Sequence, residues 1–200
     1  ERYLALAREM GDRLRETMAT GNLGIVLTNQ GLLAEACARL ERYLALAREM
    51  GNRLNEAVAL LNLGPLRQVL GDPRRARDAL ESSLGLCRKI GARYQEGYAL
   101  LGLSGVADEE GDPDQALDLA RQALALRREI GQADGVAEAL IRLGELQLRA
   151  KDPGAARAAL EEAVSLARGH LGKERMAQAL GLLANLPGGD VGAAEAALDE

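Results

Sequence analysis

Glycine stands at positions 11, 31, 51, 71, 91, 111 and 131, twenty residues apart. A ruler this regular requires repeated units, each making the same contacts with its neighbours. Written in forties, the rows open Glu1-Arg2-Tyr3-Leu4, Glu41-Arg42-Tyr43-Leu44, Glu81-Ser82-Ser83-Leu84, Arg121-Gln122-Ala123-Leu124 and Glu161-Glu162-Ala163-Val164. The run 1–11 is identical to 41–51, and five forties fill the 200 residues. The ruler breaks at Lys151, after which Gly172 and Gly192 fall one residue late. Composition says what the units are made of. The chain has 36 Ala and 38 Leu against 14 Val, Ile and Thr together, so it is rich in helix formers and poor in strand formers. All-β and α/β folds are excluded. With no Phe, no Trp and four Tyr, the core must be built of small side chains in thin, closely packed helical layers.

Each unit reads as helix, turn, helix, turn. Asp72-Pro73, Asp112-Pro113 and Asp152-Pro153 recur at forty, the pattern of an N-cap followed by proline at the first helical position. These second helices run to about residues 90, 130 and 170, and Gly91 and Gly131 suit left-handed C-caps. First helices are expected over 12–29, 52–70, 92–110 and 132–150, with apolar spacing such as Ala57, Leu60, Leu63 and Leu140, Leu143. Helices of this length joined by two or three residues lie antiparallel. Small residues recur at forty where helices must approach: Gly24, Gly64, Ser104, Gly144 and Ala184 in first helices. Their expected counterparts in second helices are Ala36, Ala76, Ala116 and Ala156, with Leu40, Leu80, Ala120 and Leu160 filling the next turn. Pro65 inside a first helix reads either as a tolerated bend or as a widening of the binding groove.

Asn-Leu-Gly at 22–24 and 62–64, the alanines at 76, 116 and 156, and the Leu-Glu runs after them resemble the tetratricopeptide repeat, in a forty-residue, Leu-Gly-Asn-like form. The resemblance implies an all-α fold, a right-handed α-solenoid (superhelix) of antiparallel helical hairpins. The expected organisation is a single array over 1–200, cut from a longer protein. Residues 1–11 are the second helix of a truncated unit, followed by 12–50, 52–90, 92–130 and 132–170. An irregular, truncated segment 172–200 closes it, with a looser turn at Leu186-Pro187-Gly188-Gly189 and a cap at Asp190.

No catalytic constellation stands out, and no enzyme, metal site or cofactor is expected. His170 is the one histidine and reads as a cap on helix carbonyls. Cys37 and Cys87 form no ligand spacing; Cys37 is expected part-exposed and Cys87 in the core. The net charge of -5 gives no case for nucleic acid, and no apolar run is long enough for a membrane span. Residues 1–100 carry 15 basic and 12 acidic groups, residues 101–200 carry 10 and 18. That gradient reads as drift among solvated faces or as steering of a charged partner. The six carboxylates Asp108, Glu109, Glu110, Asp112, Asp114 and Asp118 likewise read as solvated, or as an attractor for a basic partner or a cation without calcium-loop spacing.

Function is expected on the inner face of the first helices. The candidate partner-binding residues are Met18, Asn22, Ile25 and Asn29; Val58, Leu61, Asn62, Pro65 and Val69; Tyr98, Leu101, Asp108 and Glu109; Glu138, Ile141, Arg142, Glu145 and Arg149; and Gln178 and Asn185. The first three groups offer apolar surface with paired asparagine amides, which suit an extended peptide backbone. The fourth offers mixed charge. No lysine occupies this face, which argues against a clamp for a C-terminal carboxylate. The leading expectation is a non-catalytic interaction module for a protein, peptide or partner helix in a concave groove. The alternative is a ligand- or signal-peptide-sensing domain of a bacterial STAND-type ATPase or transcriptional regulator, which such arrays resemble. A cytoplasmic setting, no nucleic-acid or membrane partner, and end-to-end self-association through uncapped termini complete the expectation.

Overall fold

The structure, a computed structural model, describes residues 2–170 and 173–187. Among the described residues there are ten helices and no strand. They are α1 (Arg2–Glu9), α2 (Arg13–Asn29), α3 (Leu33–Glu49), α4 (Arg53–Val69), α5 (Pro73–Ile90), α6 (Arg93–Glu109), α7 (Pro113–Glu129), α8 (Ala133–Arg149), α9 (Pro153–His170) and α10 (Lys173–Ala184). The chain divides into two compact units, Glu1–Gly102 and Leu103–Glu200, with the boundary inside α6. Expectations placed on the His170 side chain, Gly172, Gly188, Gly189, Asp190 and Gly192 lie outside the described residues.

Five helix starts share a local cause. The carboxylates of Asp12, Asp72, Asp112 and Asp152 and the amide oxygen of Asn52 accept from the backbone N–H three residues on, at 3.0–3.2 Å. Each satisfies an amide that the first turn leaves without a partner, worth about 1 kcal/mol. Pro73 and Pro113 occupy first-turn positions where a missing N–H costs nothing. The turn glycines have φ between 63° and 81°, a region that β-carbon sterics make expensive for other residues. They let the following N–H groups fold back onto the last carbonyls, as Asp12 N–H does on Ala7 O at 3.0 Å. Lys151, where the glycine ruler breaks, takes the same conformation with φ 60°. The break is in the residue type and not in the turn.

In the first unit α2 packs on α3, α3 on α4 and α4 on α5. The core there joins Ala36, Leu40, Tyr43 and Leu44 of α3 to Ala59, Leu60, Leu63 and Leu66 of α4. In the second unit α7 packs on α8, α8 on α9 and α9 on α10. Cys87 is fully buried and Cys37 part-exposed.

The recurring glycines have a different counterpart from the alanines expected. A Cβ on Gly24 would come 2.7 Å from Leu40, one on Gly64 2.5 Å from Leu80, and one on Gly144 2.7 Å from Leu160. The leucine fills the space that the missing side chain leaves. Ala36, Ala76, Ala116 and Ala156 are fully buried, but they are not what the glycines receive. The remaining unit shows the rule by inversion. Where the leucine position is Ala120, the glycine position is Ser104, and its hydroxyl donates to the Ala116 carbonyl at 2.8 Å.

A second periodic device spans the turns. Arg8, Arg48 and Arg88 reach eight residues forward to the buried carboxylates of Glu16, Glu56 and Glu96 at 3.1, 2.9 and 3.0 Å. Arg13, Arg53 and Arg93 hold the second oxygen of the same groups. In the next unit the acid is replaced by Val136 and the staple arginine, Arg128, turns to Glu162 at 2.5 Å, while its neighbour Arg127, at the place of Cys87, lies buried and donates to Gly135 O at 2.7 Å and Glu138 at 2.9 Å.

Candidate functional site

Six of the candidate residues, Asn29 among them, converge in the first unit. Ile25 of α2 and Leu61, Asn62, Pro65 and Val69 of α4 line one cleft of about 220 Å³, together with Thr28, Asn29, Leu33 and Leu66. Helical spacing places 25, 28 and 29 on one face of α2 and 61, 62, 65, 66 and 69 on one face of α4. Leu33 closes the floor from α3, at the repeat position where later units carry Pro73, Pro113 and Pro153. Ile25, Pro65 and Val69 are exposed, and Leu61 and Asn62 are half-buried.

Pro65 shapes this cleft without breaking the helix, because α4 runs continuously from Arg53 to Val69. Having no N–H, it leaves the Leu61 carbonyl without its helical donor. Pro65 is exposed, so its ring displaces no packed neighbour. The Asn62 amide spends one N–H on the Val58 carbonyl at 2.8 Å. The second N–H and the Oδ1 are left for another partner. The Thr28 hydroxyl donates to the Gly24 carbonyl at 3.0 Å. The lining is thus mostly apolar, with Thr28, Asn29 and Asn62 as its polar side chains.

The other candidates fall elsewhere. Met18 and Asn22 are exposed on earlier turns of α2, and Val58 is half-buried on α4. Tyr98 packs at a tilt against Tyr94 on α6, ring centroids 5.2 Å apart and hydroxyls 3.2 Å apart, with Leu101 half-buried one turn on. Glu109 is exposed at the end of α6, and Gln178 and Asn185 are exposed at α10 and just after it. Ile141, expected on the accessible face, is 3% exposed and belongs to the core of the second unit.

The second unit's charged candidates are paired in two clusters, one on Asp108 and Glu145 and one on Glu138. Asp108 receives Arg142 at 3.0 Å and also Arg149. Arg142 further bonds Glu145 at 3.3 Å and the Ser104 carbonyl at 3.3 Å. Gln178 donates to Glu145 at 3.2 Å, and Glu138 holds Arg127 at 2.9 Å and Arg175 at 3.4 Å. The two arginines that sequence placed on this face therefore have carboxylate partners inside the chain. The acidic stretch is also spoken for in part, since Asp112 caps α7 and Asp118 accepts from Gln122 at 2.6 Å.

Neither thiol is primed. Burial pushes both the Cys37 and the Cys87 thiol up, and the Glu41 charge raises Cys37 further. Among the described residues no group of three or more His, Cys, Asp or Glu is placed to hold a metal. No described helix is long and apolar enough to cross a membrane.

A family model described as tetratricopeptide repeat matches residues 15–89 and 95–169. The chain belongs to the tetratricopeptide repeat family. Comparison with curated proteins gave no match. Solved tetratricopeptide-like structures extend the fold assignment. BtubC (BKLC) from P. vanneervenii aligns at TM-score 0.76 and 18% identity, over 99% of this chain and 85% of that one. A Rap protein complexed with Competence and Sporulation Factor aligns at 0.78 and 14%, over 93% of this chain and 53% of that one. PilF of Pseudomonas aeruginosa aligns at 0.65 and 19%, over 86% and 69%. At these identities the likeness shows the fold: an all-α solenoid of antiparallel helical hairpins.

Sequence spacing did not point to Thr28, Leu33 and Leu66 as cleft residues. A signal for one of them was present. Leu32-Leu33 stands where three later units have Asp-Pro, and an apolar pair replacing a cap marks a unit whose second helix begins differently.

Proposed function

We propose that this tetratricopeptide repeat chain is a non-catalytic interaction module that takes an extended peptide across the α2–α4 cleft. The carrying observation is the pairing of an apolar 220 Å³ cleft with the Leu61 carbonyl, which Pro65 leaves without its helical donor, and the Asn62 amide. The cleft accepts one large apolar side chain, and the rim groups bond the peptide backbone on either side of it. Met18, Asn22 and Val58 extend the same face along the two helices. Tyr98 and Leu101 continue the apolar surface on α6. Asp108, Glu109, Glu138, Arg142, Glu145 and Arg149 act as a charged surface, and the pairing of Arg142 and Arg149 with Asp108 and Glu145 selects against simple carboxylate ligands. Partners are proteins or peptides, with no nucleic acid and no membrane, in the cytoplasm.

The test is selection from a random-peptide display library, followed by titration of the recovered peptides. Leu61→Ala combined with Asn62→Ala should weaken them at least tenfold while circular dichroism stays unchanged. Full affinity in that double variant contradicts the reading.

A sensing role for an attached ATPase or transcriptional regulator is the second reading. The structural likeness to a Rap protein solved with Competence and Sporulation Factor favours it. A short signalling peptide would then raise the melting temperature in proportion to ln(1 + [L]/Kd). A peptide pool that binds without shifting the melting temperature counts against it.

A further inference from the structure

Turns 48–56 and 88–96 of the first unit stand one repeat apart, each joining a second helix to the next first helix. Both leave two large apolar side chains outside: Met50, Leu54, Ile90 and Tyr94 are 40–51% exposed. The Tyr94 ring is braced by Tyr98, ring centroids 5.2 Å apart. Both turns also carry the arginine staple, and its geometry has an outward half. Arg48 holds Glu56 through Nε at 2.9 Å, and Arg88 holds Glu96 through Nε at 3.0 Å. A guanidinium has five N–H donors in a fixed fork. With Nε spent on a buried acid, the two terminal nitrogens of each fork are left over, on side chains 55% and 53% exposed. The buried acid holds the arginine in place, so a carboxylate arriving from outside meets a fork already ordered.

The charge that these turns show to solvent is cationic. Arg53, Lys89 and Arg93 are exposed as well, while Glu56 and Glu96 are buried behind the arginines. Glu49, the one exposed acid of the two turns, lies 3.7 Å from Arg42. The repeat itself does not require this pattern. Forty residues on, Lys89 is replaced by Glu129, Arg93 by Ala133, Tyr94 by Asp134 and Glu96 by Val136, and Arg128, at the place of Arg88, pairs with Glu162. The α7–α8 turn forms all the same.

We propose that this surface binds an acidic peptide segment, its Asp or Glu carboxylates on the terminal nitrogens of Arg48 and Arg88 and its apolar side chains on Met50, Leu54, Ile90 and Tyr94. A guanidinium fork takes both oxygens of a carboxylate. The apolar contacts supply the burial that ion pairs exposed to water lack. The surface lies at the amino end of α4 and the cleft at its carboxyl end, so this site goes beyond the cleft and neither reading needs the other. A polynucleotide suits it less well. Two buried acids offset half the charge of the four arginines, and Met50, Leu54 and Ile90 have no ring on which a base could stack.

Fluorescence polarisation tests it with labelled probes: a peptide alternating Glu with Leu and Tyr, the same peptide with Lys for Glu, and a single-stranded oligodeoxynucleotide. The acidic peptide should bind saturably and lose about tenfold or more in affinity as salt is raised, and the lysine peptide should not bind. Leu54→Asp and Lys89→Glu/Tyr94→Asp give these turns the residues that stand at Asp134 and Glu129, so the fold accommodates them. An acid in a first helical turn is itself favourable. Each variant should weaken the acidic peptide about tenfold or more, with circular dichroism unchanged. Leu61→Ala/Asn62→Ala should bind it as the unaltered chain does, which separates this surface from the fate of the cleft. No binding of the acidic peptide, equal binding of the lysine peptide, or full affinity in the turn variants overturns the proposal. Loss of binding in the cleft variant also overturns it, as does an oligodeoxynucleotide that binds more tightly than the acidic peptide.

Discussion

At the scale of single residues, the molecule runs on size complementarity across helices. Gly64 exists because Leu80 needs its space. Gly64→Ala would put a methyl 2.5 Å from Leu80 Cγ, closer than real contacts allow, and should cost about 1–3 kcal/mol in urea unfolding. The Ser104–Ala120 pair predicts the remedy. Gly64→Ser with Leu80→Ala should destabilise by at least about 1 kcal/mol less than the two single changes summed, because neighbours of this kind couple. Strict additivity in that cycle would show that the two positions do not share one space. Spacing alone put both residues on facing helix surfaces. It did not show that glycine opposes leucine and not alanine, because the rotation of one helix against its neighbour is set by packing and not by period.

At the scale of elements, the turns are held by charge as well as by glycine. Burial alone would raise the pKa of Glu16 and Glu56, but the hydrogen bonds and charges of Arg8 and Arg13, and of Arg48 and Arg53, hold both below the usual carboxylate value. A folded-state pKa below the unfolded one gives stability that is complete above the unfolded value and is lost as pH falls through the folded one. Acid titration should therefore lower stability progressively below the ordinary glutamate range. Glu56→Gln should remove part of that pH dependence and cost about 1–2 kcal/mol near neutral pH, since it weakens two charge-assisted bonds with exposed arginines. An unchanged acid limb in the variant would show that the staple contributes nothing. Arg8, Arg48, Arg88 and Glu16, Glu56, Glu96 recur at forty in the sequence, but a recurrence of exposed-type charges gives no sign that the acids are buried, so the staple came from the structure alone. Element boundaries were more open to reading: Asp-Pro caps and left-handed glycines place helix ends directly from local chemistry.

At the scale of the whole molecule, one repeat grammar produces two different surfaces. The first unit presents an apolar cleft between α2 and α4, and the second presents paired charges anchored on Asp108, Glu138 and Glu145. Ile25, Leu61, Asn62, Pro65 and Val69 were found from helical spacing. Leu33 was not, because it enters from a second helix, which the face-by-face reading does not include. Arg142 and Arg149 were placed on the right helix, but their partner Asp108 lies 34 and 41 residues away, a separation that spacing does not resolve into a contact. The central claim is that the α2–α4 cleft receives an apolar side chain of an extended peptide. Methyl-resolved NMR of the chain titrated with a library-selected peptide tests it most directly. The account predicts shift changes concentrated on the methyls of Ile25, Leu33, Leu61, Leu66 and Val69. Saturable binding that leaves those methyls unmoved would contradict it.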